Sequence, residues 1–427
     1  MSLIKPGPNG PIWTWYHKFK GVFFKMEIKI DVNKNLFEIT EEYPAVISVL
    51  VNKGFNQLDD EAKRKSFGKQ ITLKQAAGLK NLDLEKLVEL MEAEIEKNST
   101  QKTGGAKIKV SGSLPCPVKI PMTEELEKIS SELDYEVELD LKSASQGLEW
   151  LQDGFDQITS PTELSDIFIS AGFDLFFDKD LMDRFRRQDV FKDATGIKEL
   201  NSDFTEAGVD LLDPEGDYSV LSIVPAVFLV NKEELDGREV PRSWEEILSE
   251  EFANSVSLPV SDFDLFNAIL LNIYKVYGRE GVQKLGRSMK KALHPSQMVK
   301  EGGRKADDQP AITIMPYFFT RMAKRFPHME FVWPEDGAIV SPIFMLTKKE
   351  KNEKMKPLID LMASEKMGKI LAEQGLFPSV LPEVDNGLPE KAQFMWPGWD
   401  FLRGENPGEL LRDLEAEFNK AVEVASV

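Results

Sequence analysis

Ser219-Val220-Leu221-Ser222-Ile223-Val224-Pro225-Ala226-Val227-Phe228-Leu229-Val230 is the stretch on which the fold turns. It reads as one apolar strand, too long for a single small sheet. Asn231-Lys232-Glu233-Glu234-Leu235 ends it. Val240-Pro241-Arg242-Ser243-Trp244-Glu245-Glu246-Ile247-Leu248 then supplies a short amphipathic helix, and Ser255-Val256-Ser257-Leu258-Pro259 a second apolar strand. A further helix opens near Asp262-Phe263-Asp264. A chain ordered this way leaves one α/β lobe and begins another.

Working outward, 427 residues are too many for one compact core and predict two or three domains. A composition of 42% hydrophobic and 29% charged residues is that of a soluble globular protein and excludes disordered and fibrous classes. A net charge of -19 argues against a nucleic-acid partner, because a phosphate backbone demands a basic face. Cys116 is the sole cysteine, which excludes an internal disulfide, a cysteine-rich zinc site and a CxxC redox pair.

The longest apolar run, Val220 to Val230, is about half of what a bilayer crossing needs. In the first 25 residues, Trp13, Trp15, Tyr16, Phe19, Phe23 and Phe24 are interrupted by Lys5, His17, Lys18, Lys20 and Lys25, with no small-residue cleavage site after them. Residues 1–25 read either as an extension ahead of a start at Met26 or as an interfacial aromatic-basic anchor. Without a clear secretory signal the expected location is cytoplasmic, and periplasmic or extracellular if the true N-terminus differs.

Residues 26–98 predict a small helical domain. Leu36, Ile39, Tyr43, Val46, Ile47, Leu50 and Val51 recur at helical spacing until Gly54. A second pattern starts at Thr72 with Leu73, Ala76 and Ala77, breaks at Gly78, and resumes from Asp83 through Leu84, Leu87, Val88, Leu90, Met91 and Ile95. The run from Asp31 to Phe55, with Tyr43-Pro44 and Gly54-Phe55, resembles a small helical domain of unknown function found in front of iron-sulfur or redox repair proteins. Asn56-Gln57-Leu58 stands where relatives often carry a cysteine pair, so the resemblance implies a docking or oligomerisation module with a protein partner rather than a redox role. Residues 99–105 are polar and glycine-bearing and read as a linker.

From 106 onward the pattern is βα. Ile108-Lys109-Val110 is a short strand, Ser111-Gly112-Ser113-Leu114-Pro115-Cys116-Pro117 a loop, and Thr123 the N-cap of a helix carrying Leu126 and Ile129 inward. Tyr135 to Leu141 is a second strand, ending in Ser143-Ala144-Ser145, and Asp166 to Ile169 a third, ending in Ser170-Ala171-Gly172. Loops at the carboxyl ends of parallel strands line ligand sites, and short hydroxyls with free amides there cradle a polar small molecule or ion. Any one such loop is also an ordinary turn. The candidate ligand residues are Ser111, Gly112, Ser113, Cys116, Ser143, Ser145, Ser170 and Ala171, faced by Asp262, Phe263, Ser296 and Tyr317. Cys116 reads as a thiol at the mouth of the site or as a buried small residue.

Asp264 to Val276 and Gly281 to Leu293 are helical, Ala311 to Tyr317 is a buried strand, and Glu330 to Trp333 and Ala338 to Leu346 flank Pro334-Glu335-Asp336-Gly337 as a return crossing. This order, with Pro334-Glu335-Asp336-Gly337-Ala338-Ile339 before the second crossing strand and Gln374-Gly375-Leu376-Phe377-Pro378 after a helix, resembles the type II periplasmic-type solute-binding proteins of ABC importers. Within that class it is similar to the ferric, thiamine and polyamine binding group. The resemblance covers about 106–427. It implies an α/β, two-lobed type II periplasmic-binding-protein-like fold behind a small all-α domain, with lobe one at about 106–228 and 335–427 and lobe two at about 229–334. It implies non-enzymatic capture of a small polar or ionic solute by hinge closure, with an ABC-transporter permease as partner. Iron binders of the group carry tandem tyrosines; here Phe318 and Phe319 follow Tyr317, which argues against ferric binding.

No GxSxG elbow, HExxH pair, P-loop or Rossmann fingerprint is present, and His294 and His328 lie far from any such motif. The reading therefore assigns no catalytic residue, metal or cofactor. The alternatives are a cytosolic sensor signalling through the helical domain and an enzyme acting on a small acid in the same cleft. Trp333, Trp396 and Trp399 suit either ring stacking in a site or the core.

Overall fold

The computed structural model describes residues 30–58, 61–80, 82–99, 107–144, 150–151, 155, 158–173, 175–260, 263–292, 309–323, 326–350 and 352–425. The expected extension 1–25, most of the expected linker, Ser145, Asp262, His294 and Ser296 lie outside them. The chain divides into two compact units, Met1–Gly104 and Gly105–Val427.

In the first unit, Asn35 caps helix Leu36–Glu42 through a capping box with Glu38, and Thr72 caps Leu73–Leu79 through one with Gln75. The single helix expected up to Gly54 is two, Leu36–Glu42 and Val46–Asn52. Pro44 explains the break, since its ring drives Tyr43 out of the helical region. Gly54 has φ +92, as a helix stop requires. Helix Glu61–Phe67 lies where no element was expected, and helix Leu84–Ser99 runs into the expected linker. Leu36, Leu50, Leu58, Leu73, Leu87 and Met91 are fully buried among one another in a core of their own.

The second unit is built on one sheet with strand order β2-β1-β3-β9-β4-β7-β5-β6, with β10 beside β9 and β8 beside β4. The strands are β1 Ile108–Leu114, β2 Val137–Ser143, β3 Ile167–Ala171, β4 Tyr218–Asn231, β5 Val256–Leu258, β6 Met289–Ala292, β7 Ile312–Pro316, β8 Met329–Val332, β9 Ala338–Thr347 and β10 Phe394–Met395. β1, β2 and β3 form one parallel set and β5, β6 and β7 another. β4 and β9 run antiparallel to each other and join the two sets.

All 14 residues of β4 are buried. Its first part, Tyr218 to Ala226, pairs with β9, and Ala226 to Val230 pairs with β7, so the strand changes neighbours at Ala226 and joins the two parallel sets. β9 begins directly after Gly337, where a strand was expected, and pairs with β3, β4 and β10. At the lobe-one end, Asp213 accepts two hydrogen bonds from Arg403 (2.6 and 2.7 Å) and two from the backbone N–H groups of Asp217 and Tyr218, which anchors the start of β4. Lys348, just beyond β9, is buried; its Nζ donates to the Leu164 carbonyl (2.6 Å) and lies 3.7 Å from Asp166. Behind the sheet, Phe155, Phe168, Phe176 and Phe344 interlock, Phe168 and Phe176 at 5.2 Å and Phe176 and Phe344 at 5.8 Å, each contributing about 1.5–3 kcal/mol of burial.

Several local expectations are corrected here. Ser111 to Leu114 belong to β1 rather than to a loop, because β1 is flanked on both sides, by β2 and by β3, and the ladder carries through the polar residues. The helix begins at Cys116 and runs to Glu132, so Thr123 lies inside it instead of capping it; Pro117 sits in the first turn, where its missing N–H costs nothing. The helices expected around Gly278 meet at that residue, which has φ +65. The second stops at Ser288, and Met289 to Ala292 form an edge strand too short and lysine-rich to show in the pattern.

Candidate functional site

The carboxyl ends of β1 and β2 bring two candidate residues together. Cys116, exposed at the start of helix Cys116–Glu132, has its Sγ 3.0 Å from the Ser143 Oγ. Next to Ser143, the Lys142 ammonium stands 3.9 Å above the Trp150 ring. A hydroxyl and a thiol therefore meet at the start of the 17-residue helix, where the Val118 and Lys119 N–H groups are already bonded to the Pro115 carbonyl.

The other strand-end candidates of this lobe turn inward. Ser111 is buried and shares a 2.7 Å hydrogen bond with Ser165. Gly112 is a packing position: a Cβ there would fall 1.8 Å from the Ile169 carbonyl oxygen. Ser113, Ser170 and Ala171 are buried within β1 and β3. The turn after β3 meets the first turns of helix Phe263–Ser288 directly. Gly172 lies against Asp264, Ser341 Oγ donates to the Asp264 carbonyl at 3.1 Å, and Asn267 donates to the Phe173 carbonyl at 3.3 Å.

Tyr317 directly follows β7. Its ring is half-buried, 5.5 Å from Phe331 and 5.3 Å from Trp333. Burial pushes its phenol above the ordinary tyrosine value, with Arg321 opposing, so at neutral pH it is a neutral hydrogen-bonding group. Phe263 opens helix Phe263–Ser288, with its side chain outside the described set, as are Ser145, Asp262 and Ser296. Trp399 is buried against Phe177 and Tyr218, and Trp333 Nε1 donates to the Gln393 carbonyl at 2.8 Å. Lys142, Trp150 and Arg321 were not singled out from the sequence; a lone basic or aromatic residue at a strand end carries no periodic signal. No group of three or more His, Cys, Asp or Glu side chains able to hold a metal occurs among the described residues.

Residues 162–405 match the family described as bacterial extracellular solute-binding protein. The chain belongs to that family. Residues 30–88 match a second family, described as a domain of unknown function. Among solved structures, this solute-binding chain is similar to the periplasmic binding protein P5PA at 13% identity and TM-score 0.51, over 74% of this chain and 100% of that one. It is similar to the ferric binding protein from Campylobacter jejuni at 10% identity and TM-score 0.51, over 74% and 99%. It is also similar to AfuA from Actinobacillus pleuropneumoniae, with fructose-6-phosphate bound, at 12% identity and TM-score 0.50, over 76% and 100%. At such identities the likeness is one of fold: a two-lobed, type II periplasmic-binding-protein architecture. No curated protein matches the chain. No helix among the described residues is long and apolar enough to cross a membrane.

Proposed function

We propose that this solute-binding protein captures a small polar solute between its two lobes and hands it, chemically unchanged, to an ABC-transporter permease. The observation that carries the reading is the pair of crossing strands, β4 and β9, joining two parallel half-sheets whose carboxyl-end segments meet, Gly172 against Asp264. A two-strand connection lets the lobes swing while each half-sheet stays rigid. The rim supplies the Cys116 thiol and the Ser143 hydroxyl, and the segment after β7 supplies the neutral phenol of Tyr317. Such hydroxyl, thiol and phenol groups recognise a polar solute by hydrogen bonding.

The names of two fold neighbours point to ferric iron and to fructose-6-phosphate as their cargoes. For this chain an organic solute suits the site better than a bare ferric ion, since Phe318 and Phe319 follow Tyr317 where a second phenolate ligand would be needed. Delivery to an importer places the protein outside the cytoplasm, in line with the family's description and in contrast to the cytoplasmic expectation. Native mass spectrometry of protein purified without added ligand, followed by calorimetry with the released compound, tests the reading. A stoichiometric solute that rebinds unchanged supports it. Conversion of the solute on incubation with the protein overturns it in favour of an enzyme.

A further inference from the structure

Helix Glu365–Lys369 continues into a π-helical turn, Ile370–Gln374, at the carboxyl end of which the chain turns sharply. The turn is packed onto lobe one. A Cβ on Gly375 would lie 2.7 Å from Val118 in helix Cys116–Glu132 and 2.3 Å from the Phe377 ring. Leu376 is held at φ +48, a left-handed conformation unfavourable for a branched side chain, and the Phe377 N–H closes the turn on the Leu371 carbonyl at 3.0 Å. The last carbonyls of such a helix have no partner within it and carry the negative end of its dipole.

Arg321, in the short helix Thr320–Ala323 that follows β7, reaches those carbonyls from the opposite lobe. Its Nη2 donates to the Glu373 carbonyl at 2.7 Å, and its Nη1 lies 3.5 Å from the Gln374 carbonyl. Beside it, the Phe318 and Phe377 rings meet at 6.5 Å. We propose that Arg321 is a closure latch: an exposed guanidinium on lobe two that clasps the carboxyl end of a lobe-one helix and favours the closed form. The assignment rests on the two-lobed capture reading above. A guanidinium suits the role because it cannot lose its charge, and its planar fork spans two successive carbonyls where an ammonium would meet one. The acceptors are backbone atoms in a strained, tightly packed turn, so the latch engages a rigid edge.

The test reads lobe separation in the full chain, stripped of any co-purified solute by unfolding, dialysis and refolding, by the distance distribution between spin labels on Lys128→Cys and Glu239→Cys in a Cys116→Ser background common to all samples. Arg321→Ala is expected to raise the ratio of separated to closed lobes about threefold to tenfold. Arg321→Glu, which sets a carboxylate against the helix carboxyl end, is expected to raise it further, and Arg321→Lys less than either. Distributions for the Ala and Glu variants that match wild type overturn the latch. So does an equal fall in unfolding midpoint across all three variants, which marks a structural role. Solute plays no part in the readout, so failure to find a cargo leaves a positive result standing, and an unchanged distribution leaves the capture reading standing.

Discussion

Gly172, at the end of β3, and Asp264, in the first turn of helix Phe263–Ser288, are in backbone contact: a Cβ on Gly172 would sit 2.7 Å from the Asp264 Cα. Gly172 also holds φ +86, which a side chain disfavours. The site has neither room nor backbone freedom for a methyl group, and the atom it would strike is main chain. Gly172→Ala is expected to destabilise the second unit by about 1–3 kcal/mol and to push the two halves of the sheet apart. Thermal unfolding together with the spin-label distances described above checks both effects. An unchanged melting temperature and unchanged distances would show that the contact is not tight in solution.

The rim hydrogen bonds make a prediction about affinity. Cys116→Ala removes the thiol beside Ser143, and Tyr317→Phe removes the phenol while keeping its ring packing against Phe331 and Trp333. Each variant is expected to weaken binding of the co-purifying solute by about tenfold to a hundredfold, with little change in the unfolding midpoint of the empty protein. Calorimetric titration of both variants checks this; wild-type affinity in both would displace the site from this rim.

Tyr317 also predicts a pH effect whose sign follows from burial. Its phenol titrates above the ordinary tyrosine value, so between about pH 10 and the folded value the native state keeps a proton that the unfolded chain has lost. The associated stability is fully present below about pH 10 and falls as the pH rises through the folded value. Tyr317→Phe is expected to lose less stability than wild type between roughly pH 9 and roughly pH 11 in urea unfolding. Parallel losses would show that other tyrosines account for the alkaline slope.

The division at Gly104 predicts that each unit keeps its own core. A fragment covering 105–427 is expected to unfold in one cooperative transition and to bind the solute as the full chain does. Circular dichroism and calorimetry on the fragment check this. A broad, non-cooperative transition would make the helical unit part of the same core.

Local features were legible from the residues because their causes are local. The helix start at Thr72 and the stop at Gly54 depend on residues within a few positions of the helix end, as does the capping box at Asn35, which went unread. The uninterrupted apolar run of β4 announced a strand buried along its whole length, and the residues after Gly337 announced its partner. The break at Pro44 was local too, and attention to the residue before proline would have found it.

The site was less legible. Ser111 and Ser170 are turn-forming residue types, yet they are buried in strands because neighbours on both sides extend the ladders through them. What the residues determine unaided is the order of elements, two lobes joined by two apolar crossings, and a separate helical unit, since hydrophobic period and capping act over one or two turns. Which hydroxyls face outward, where Gly172 meets Asp264, and how Arg321 reaches the carbonyls of Glu373 and Gln374 were decided by the tertiary structure. These depend on strand register and on the approach of segments more than 50 positions apart, and sequence spacing does not encode such distances.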